Sequence, residues 1–156
     1  MTDESPLVEP VETEPVETEP VAVARRSADA MLANDAASKG LGMELEHVAP
    51  GESRVSMVVR ADMLNGYALA HGGLVASLAD TAFAVACNSH GTVTVAAGFE
   101  VDFLESAGEG DRLVATCTER ALRGRSGIYD VTVRRDDGTV VAEFRGRSRS
   151  LGRPIT

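Results

Sequence analysis

The stretch LNGYALAHGGLVASLADTAFAVACNSHG, residues 64–91, carries most of what this sequence says about its fold. From Leu74 onward it is rich in alanine, free of glycine and proline until Gly91, and apolar on nearly every side. A helix with no polar face has to be buried. With Asp80 in its middle, and shorter than the roughly 20 apolar residues a bilayer requires, it is not a membrane span.

Downstream of Gly91 the hydrophobic period becomes two. Val95, Ala97, Phe99, Val101 and Phe103 share a face, followed by Leu113, Ala115 and Cys117, then Tyr129, Val131 and Val133, then Val140, Ala142 and Phe144. Turn residues separate these runs at Gly108 and Gly110, Gly124 and Gly127, and Asp137 with Gly138, which predicts four consecutive antiparallel strands. Upstream, Met43, Leu45 and His47 alternate, Gly51 marks a turn, and Val55, Met57 and Val59 alternate again, which reads as a hairpin. Ser27 to Ala37 supplies helix formers ahead of Gly40. The sum is an α+β domain, an antiparallel sheet of about six strands wrapped around one long buried helix, which is the hotdog fold. A single layer leaves sheet edges and helix ends poorly covered, so self-association is expected.

At 156 residues the chain holds one domain. Residues 9–21 read EPVETEPVETEPV, whose prolines and repelling acids favour disorder. Residues 1–24 are therefore expected to be an acidic disordered tail and residues 25–156 the folded domain. Of the 24 acids, seven precede Arg25; the other 17 against 15 bases leave the domain at −2. With no basic stripe and no Trp, nucleic-acid binding is unsupported. Nothing at the N-terminus pairs a basic start with an apolar run, so a cytoplasmic protein is expected. Cys87 and Cys117 have no metal or CxxC spacing, and the scattered histidines His47, His71 and His90 suggest no metal site.

Three features of residues 64–91 bear on chemistry. Asp80 is the one charge between Leu74 and Cys87, and a carboxylate in apolar surroundings is costly unless paired, hydrogen-bonded or protonated, which favours a functional role over a helix residue reaching solvent. Gly72 and Gly73 stand where the helix begins, where backbone N–H groups are unpaired and positively polarised and the lack of side chains admits a ligand; this spells either an oxyanion site or a plain tight turn. His71 precedes them, where the neutral ring is favoured, either orienting the loop or touching substrate. Eight residues separate Gly72 from Asp80, about 12 Å of helical rise, so one helix cannot apply both to a single carbonyl. If both act on one substrate, each comes from a different subunit of a dimer. Cys87 has no base at helical spacing and reads as a structural thiol. There is no GxSxG elbow, and Gly108-x-Gly110 opens no helix, so serine-hydrolase and dinucleotide signatures are missing. Of the C-terminal arginines most read as a solvated sheet face; Arg123 and Arg125, beside Gly124 and Gly127, are candidates for meeting phosphates.

The run from Asn65 through HGG and LADTAFAVACNSHG, followed by VDFL, GIYDV and FRGRS, resembles the hotdog thioesterases of bacterial phenylacetate degradation, the PaaI type, over about residues 29–156. The resemblance implies hydrolysis of acyl-CoA thioesters, preferentially phenylacetyl or hydroxyphenylacetyl, by a homotetramer built from dimers. It places Asp80 on the catalytic carboxylate, Gly72 on the donor to the thioester oxygen, Asn65 near the thioester, and Thr81 beside the acid, where it helps position water. His71, Gly73, Thr81, Arg123 and Arg125 are the expected substrate contacts. Coenzyme A enters as part of the substrate, and no cofactor or metal is called for. Whether Asp80 attacks the carbonyl or activates water stays open. A thioesterase for medium-chain aliphatic esters, a non-catalytic acyl-CoA binder and a hotdog dehydratase are the alternatives. The dehydratase lacks its histidine setting here, because His71 is followed by Gly72-Gly73.

Overall fold

The structure, a computed structural model, describes residues 18–155. Its first helix, α1, spans Glu19–Ala33, and α2 spans Ala36–Gly40. The helix thus starts six residues before Arg25, and residues 19–24, expected in the tail, are helical; the rest of the tail reading lies outside the described residues. Pro20 sits in the first turn, where its fixed φ suits a helix and its missing N–H costs nothing. Packing then secures the helix, since Ala24, Ser27 and Ala28 are buried and α1 rests on β1 and α3. The expected run 27–37 is broken at Asn34 because Asp35 caps a new helix, accepting the Ser38 N–H at 2.9 Å and the Ser38 hydroxyl at 2.6 Å.

Strands β1 (Glu44–Ala49) and β2 (Glu52–Val58) form the expected hairpin. Its turn uses Gly51 at φ +74°, where a Cβ would stand 2.8 Å from that of Glu119. After a 3-10 turn at Ala61–Met63 comes the long helix α3, Gly72–Asn88, then β3 (Thr92–Phe103), β4 (Arg112–Arg123), β5 (Ser126–Arg135) and β6 (Val140–Pro154). All neighbours pair antiparallel in the order β1-β2-β4-β5-β6-β3, one six-stranded sheet with α3 packed against it. The hotdog expectation holds.

Leu78, Ala79, Ala82, Phe83 and Ala86 of α3 meet an inner sheet face that includes Met57, Leu113, Ala115, Val131 and Phe144. Phe83 is the keystone, tilted against Tyr129 at 5.4 Å and Phe144 at 5.8 Å between ring centroids. Gly146 makes room for it, because a Cβ there would stand 2.8 Å from the ring. Asn88 ties the end of α3 to the sheet: its Oδ1 accepts the Thr94 N–H at 2.9 Å and its Nδ2 donates to the Thr94 carbonyl at 2.8 Å.

Burial of α3 is less complete than its composition led us to expect. Within one chain, Ala76, Ser77, Asp80, Thr81 and Ala84 form a half-buried stripe, since a single sheet covers one side of a helix. The other uncovered element is β3, a twelve-residue edge strand whose Val95, Phe99 and Phe103 are 43%, 43% and 52% exposed. A long apolar edge left open is a pairing surface.

Candidate active site

Asp80 lies at the midpoint of α3, on its half-buried stripe. Burial holds its carboxyl above the ordinary value of 3.8, and no hydrogen bond or cation among the described residues offsets this. Such a carboxylate is a stronger base than one in water.

The start of the same helix is arranged around His71. As N-cap residue it accepts the Gly73 N–H on Nδ1 at 3.3 Å, so that nitrogen carries no proton. Its carbonyl takes the Leu74 and Val75 N–H groups. Three of the four open donors of the first turn are therefore satisfied, and the Gly72 N–H is the one with no acceptor among the described residues. The glycine pair resolves into two roles: Gly73 completes the cap, while Gly72 presents a free donor. Above Gly72 lies Phe103, whose Cζ would be 3.1 Å from a Cβ at position 72.

Asn65 is committed by one end. Its Oδ1 accepts the backbone N–H of Tyr67 at 2.9 Å and of Leu69 at 3.2 Å, folding the loop into a compact turn with Ala68 at φ +58°. That leaves the Nδ2 donors for another partner. Asn65 and Gly72 line one cavity of about 390 Å³ with Leu69, Val75, Phe103 and Val141. The volume falls in the range of small-molecule sites, and most of these liners are apolar.

Thr81 follows Asp80 on the half-buried stripe of α3. Its hydroxyl lies 3.0 Å from that of Ser38, which itself donates to Asp35, so Thr81 anchors α2 to α3. Arg123 and Arg125 stand in the β4–β5 turn, with Arg123 bonded to the Leu122 carbonyl and Arg125 Nε to the Ser150 carbonyl. They do not join Gly72 within one chain. Phe103 pairs with Ala142 and Ser126 with Arg149, so the two ends are seven residues, about 23 Å, apart along β6. Burial and the nearby charge of Asp80 push the Cys87 thiol up to about 12, which makes it inert. Among the described residues no group of three or more His, Cys, Asp or Glu gathers to hold a metal, and no helix is long and apolar enough to cross a membrane.

Two features escaped the sequence reading. Glu119 Oε2 accepts the Tyr129 hydroxyl at 2.6 Å and lies 2.7 Å from His90 Nε2, a polar knot below the end of α3. Ser148 is 3% exposed, and its hydroxyl is the one buried side-chain polar atom among the described residues without a partner. Period-two alternation places Ser148 on the inner face but says nothing of its solitude.

A six-stranded antiparallel sheet packed on one long helix agrees with the family comparison: the chain belongs to the thioesterase superfamily, whose family description matches residues 67–142. It is 44% identical over 133 residues to the acyl-coenzyme A thioesterase PaaI of Escherichia coli (strain K12), a match covering 85% of this chain and 95% of that one. The solved PaaI protein from the E. coli phenylacetic acid degradation operon superposes with a TM-score of 0.85 over 87% of this chain and 99% of that one at 43% identity. A mutant structure of the phenylacetic acid degradation protein PaaI from Thermus thermophilus superposes at 0.70 with 39% identity, over 73% and 97%.

Proposed function

We propose that this protein hydrolyses acyl-CoA thioesters, with arylacetyl groups such as phenylacetyl and hydroxyphenylacetyl as its substrates, at composite sites formed by two chains. The observation that carries the reading is the pair of uncommitted groups on α3, the unbonded Asp80 carboxyl and the Gly72 N–H, too far apart to serve one carbonyl within a chain.

Edge strand β3 supplies the pairing. Two copies related by a twofold axis and paired antiparallel over all twelve residues set Phe103 of the partner subunit opposite Thr92. Because Phe103 stands over Gly72, the partner's helix start arrives at the Thr92 end, beside the second half of α3. The β4–β5 turn with Arg123 and Arg125 is at the same end, since Thr94 pairs with Ser150 and Arg125 Nε bonds the Ser150 carbonyl. The dimer thus gathers what one chain separates: Asp80 and the arginines from one copy, Gly72 and Asn65 from the other. The apolar cavity beside Asn65 and Phe103 takes the acyl group, and the arginines meet the phosphates of coenzyme A.

In the reaction the thioester oxygen accepts the Gly72 N–H, which strengthens as negative charge develops there. Asp80 removes a proton from water as its oxygen bonds to the carbonyl carbon. The carbon–sulfur bond then breaks, and the thiolate of coenzyme A leaves with that proton. Asn65 Nδ2 donates a second hydrogen bond at the reacting centre. A thiol-release assay with phenylacetyl-CoA and a medium-chain acyl-CoA tests the reading: turnover favouring the aryl ester is expected, and no release from either would reject it.

A further inference from the structure

A cavity of about 130 Å³ lies between the end of α3 and the β4–β5 turn, bordered by Cys87, Thr94, Tyr129, Ser148, Ser150 and Arg125. Its polar groups are nearly all spent internally. Tyr129 donates to Glu119, Thr94 Oγ1 donates to the Thr92 carbonyl, Ser150 Oγ accepts the Gly152 N–H, and Arg125 Nε donates to the Ser150 carbonyl. Ser148 Oγ remains, 3% exposed and unpartnered. A buried hydroxyl without a partner is costly unless something fills the role.

Gly127 preserves this arrangement. A Cβ there would stand 2.7 Å from Ser148 Oγ and from Tyr129 Cε2, although its φ does not require glycine. The missing side chain keeps open the space above the Ser148 hydroxyl.

We infer that this cavity holds the pantetheine arm of the substrate and that Ser148 hydrogen-bonds one of its amides. The inference rests on the thioesterase reading and deepens it. The chemistry of the lining favours an amide-bearing chain over an acyl tail, because hydroxyls and an arginine border it, whereas the cavity beside Asn65 is walled by Leu69, Val75, Phe103 and Val141. Position agrees. The cavity lies at the Thr92 end, where the partner's Gly72 delivers the thioester carbonyl in the proposed dimer, and Arg125 is among its lining residues, so an arm held there runs beside a group able to meet phosphate. Ser148 would then make the enzyme selective for pantetheine thioesters over simple ones.

Ser148→Ala removes the hydroxyl and relieves an unpartnered group, so the fold should tolerate it. The expected result is a KM raised about tenfold, by the same factor for acetyl-CoA, phenylacetyl-CoA and octanoyl-CoA, with kcat held and hydrolysis of S-phenyl thioacetate, which has no pantetheine, unchanged. Titration of free coenzyme A into the intact protein should show the same tenfold weakening without relying on turnover. Ser148→Val, which also fills the space, should weaken coenzyme A further. An unchanged KM and Kd, an equal loss on S-phenyl thioacetate, or a loss confined to one acyl group would overturn the inference while leaving the thioesterase reading intact. Wild-type protein that releases thiol from no thioester would overturn both.

Discussion

Phe103 roofs Gly72 so closely that a Cβ on residue 72 would come within 3.1 Å of the ring's Cζ. The ring is half exposed, while the backbone under it is the first position of a helix. Proline is at home there, because the missing N–H has no helical partner in any case. His71 ahead of it is already extended, at φ −62° and ψ 127°, as a residue before proline must be. Gly72→Pro therefore deletes the proposed oxyanion donor and leaves the helix. We expect kcat to fall about 10²- to 10³-fold with an unchanged circular dichroism spectrum.

Asp80→Asn keeps the shape of the side chain and removes the base. Turnover should drop about 10²- to 10⁴-fold. Stability should move the other way. Burial raises the carboxyl above its ordinary 3.8, so the folded state resists ionisation that the unfolded chain accepts, and the wild type loses stability as pH rises from 3.8 through the folded value. The asparagine variant should unfold at a higher temperature than wild type at neutral pH, with the gap closing below pH 3.8, as followed by thermal melts across that range.

The same shift sets the acid limb of the rate profile. Since Asp80 works ionised, kcat should rise with pH about a midpoint above 3.8, and the limb should vanish in Asp80→Asn. A limb centred at or below 3.8 would mean that a different group is titrating.

Asn65 separates loop shape from chemistry. Aspartate at this position can accept the Tyr67 and Leu69 N–H groups as the amide oxygen does, but it offers no Nδ2 donor. Asn65→Asp should keep wild-type thermal stability and lose about tenfold or more in kcat. Asn65→Ala should lose activity and also about 1 kcal/mol of stability, because the two hydrogen bonds that hold the loop's turn are exchanged for water.

Much of this architecture can be read from residue order alone, and the exceptions share a cause. Gly51 marks the β1–β2 turn, Gly91 the end of α3, Gly110 the crossing from β3 to the non-adjacent β4, and Gly124 and Gly138 the two later hairpins, and each adopts a positive φ. There local backbone chemistry dictates the answer. Asp80 and the HGG turn stood out because a lone acid and paired glycines are conspicuous against an apolar run. What failed depended on contacts between distant segments. Glu19 to Ala24 resembles the repeat before it and becomes helix because Ala24 is buried in the core. The contact of the Thr81 hydroxyl with Ser38, 43 residues away, is likewise invisible in either segment. The empty space over Ser148 exists because Gly127 on the neighbouring strand leaves it, a pairing that neither segment announces.

Mixing two inactive proteins addresses the shared site most directly. Asp80→Asn retains its donor and Gly72→Pro retains its acid, so a dimer holding one of each contains one complete site and one doubly broken one. After the two variants are unfolded together and refolded at equal concentration, random pairing should restore about a quarter of wild-type turnover. Activity no greater than that of the separate variants would show that each chain builds its site alone, and would contradict a site shared between two copies.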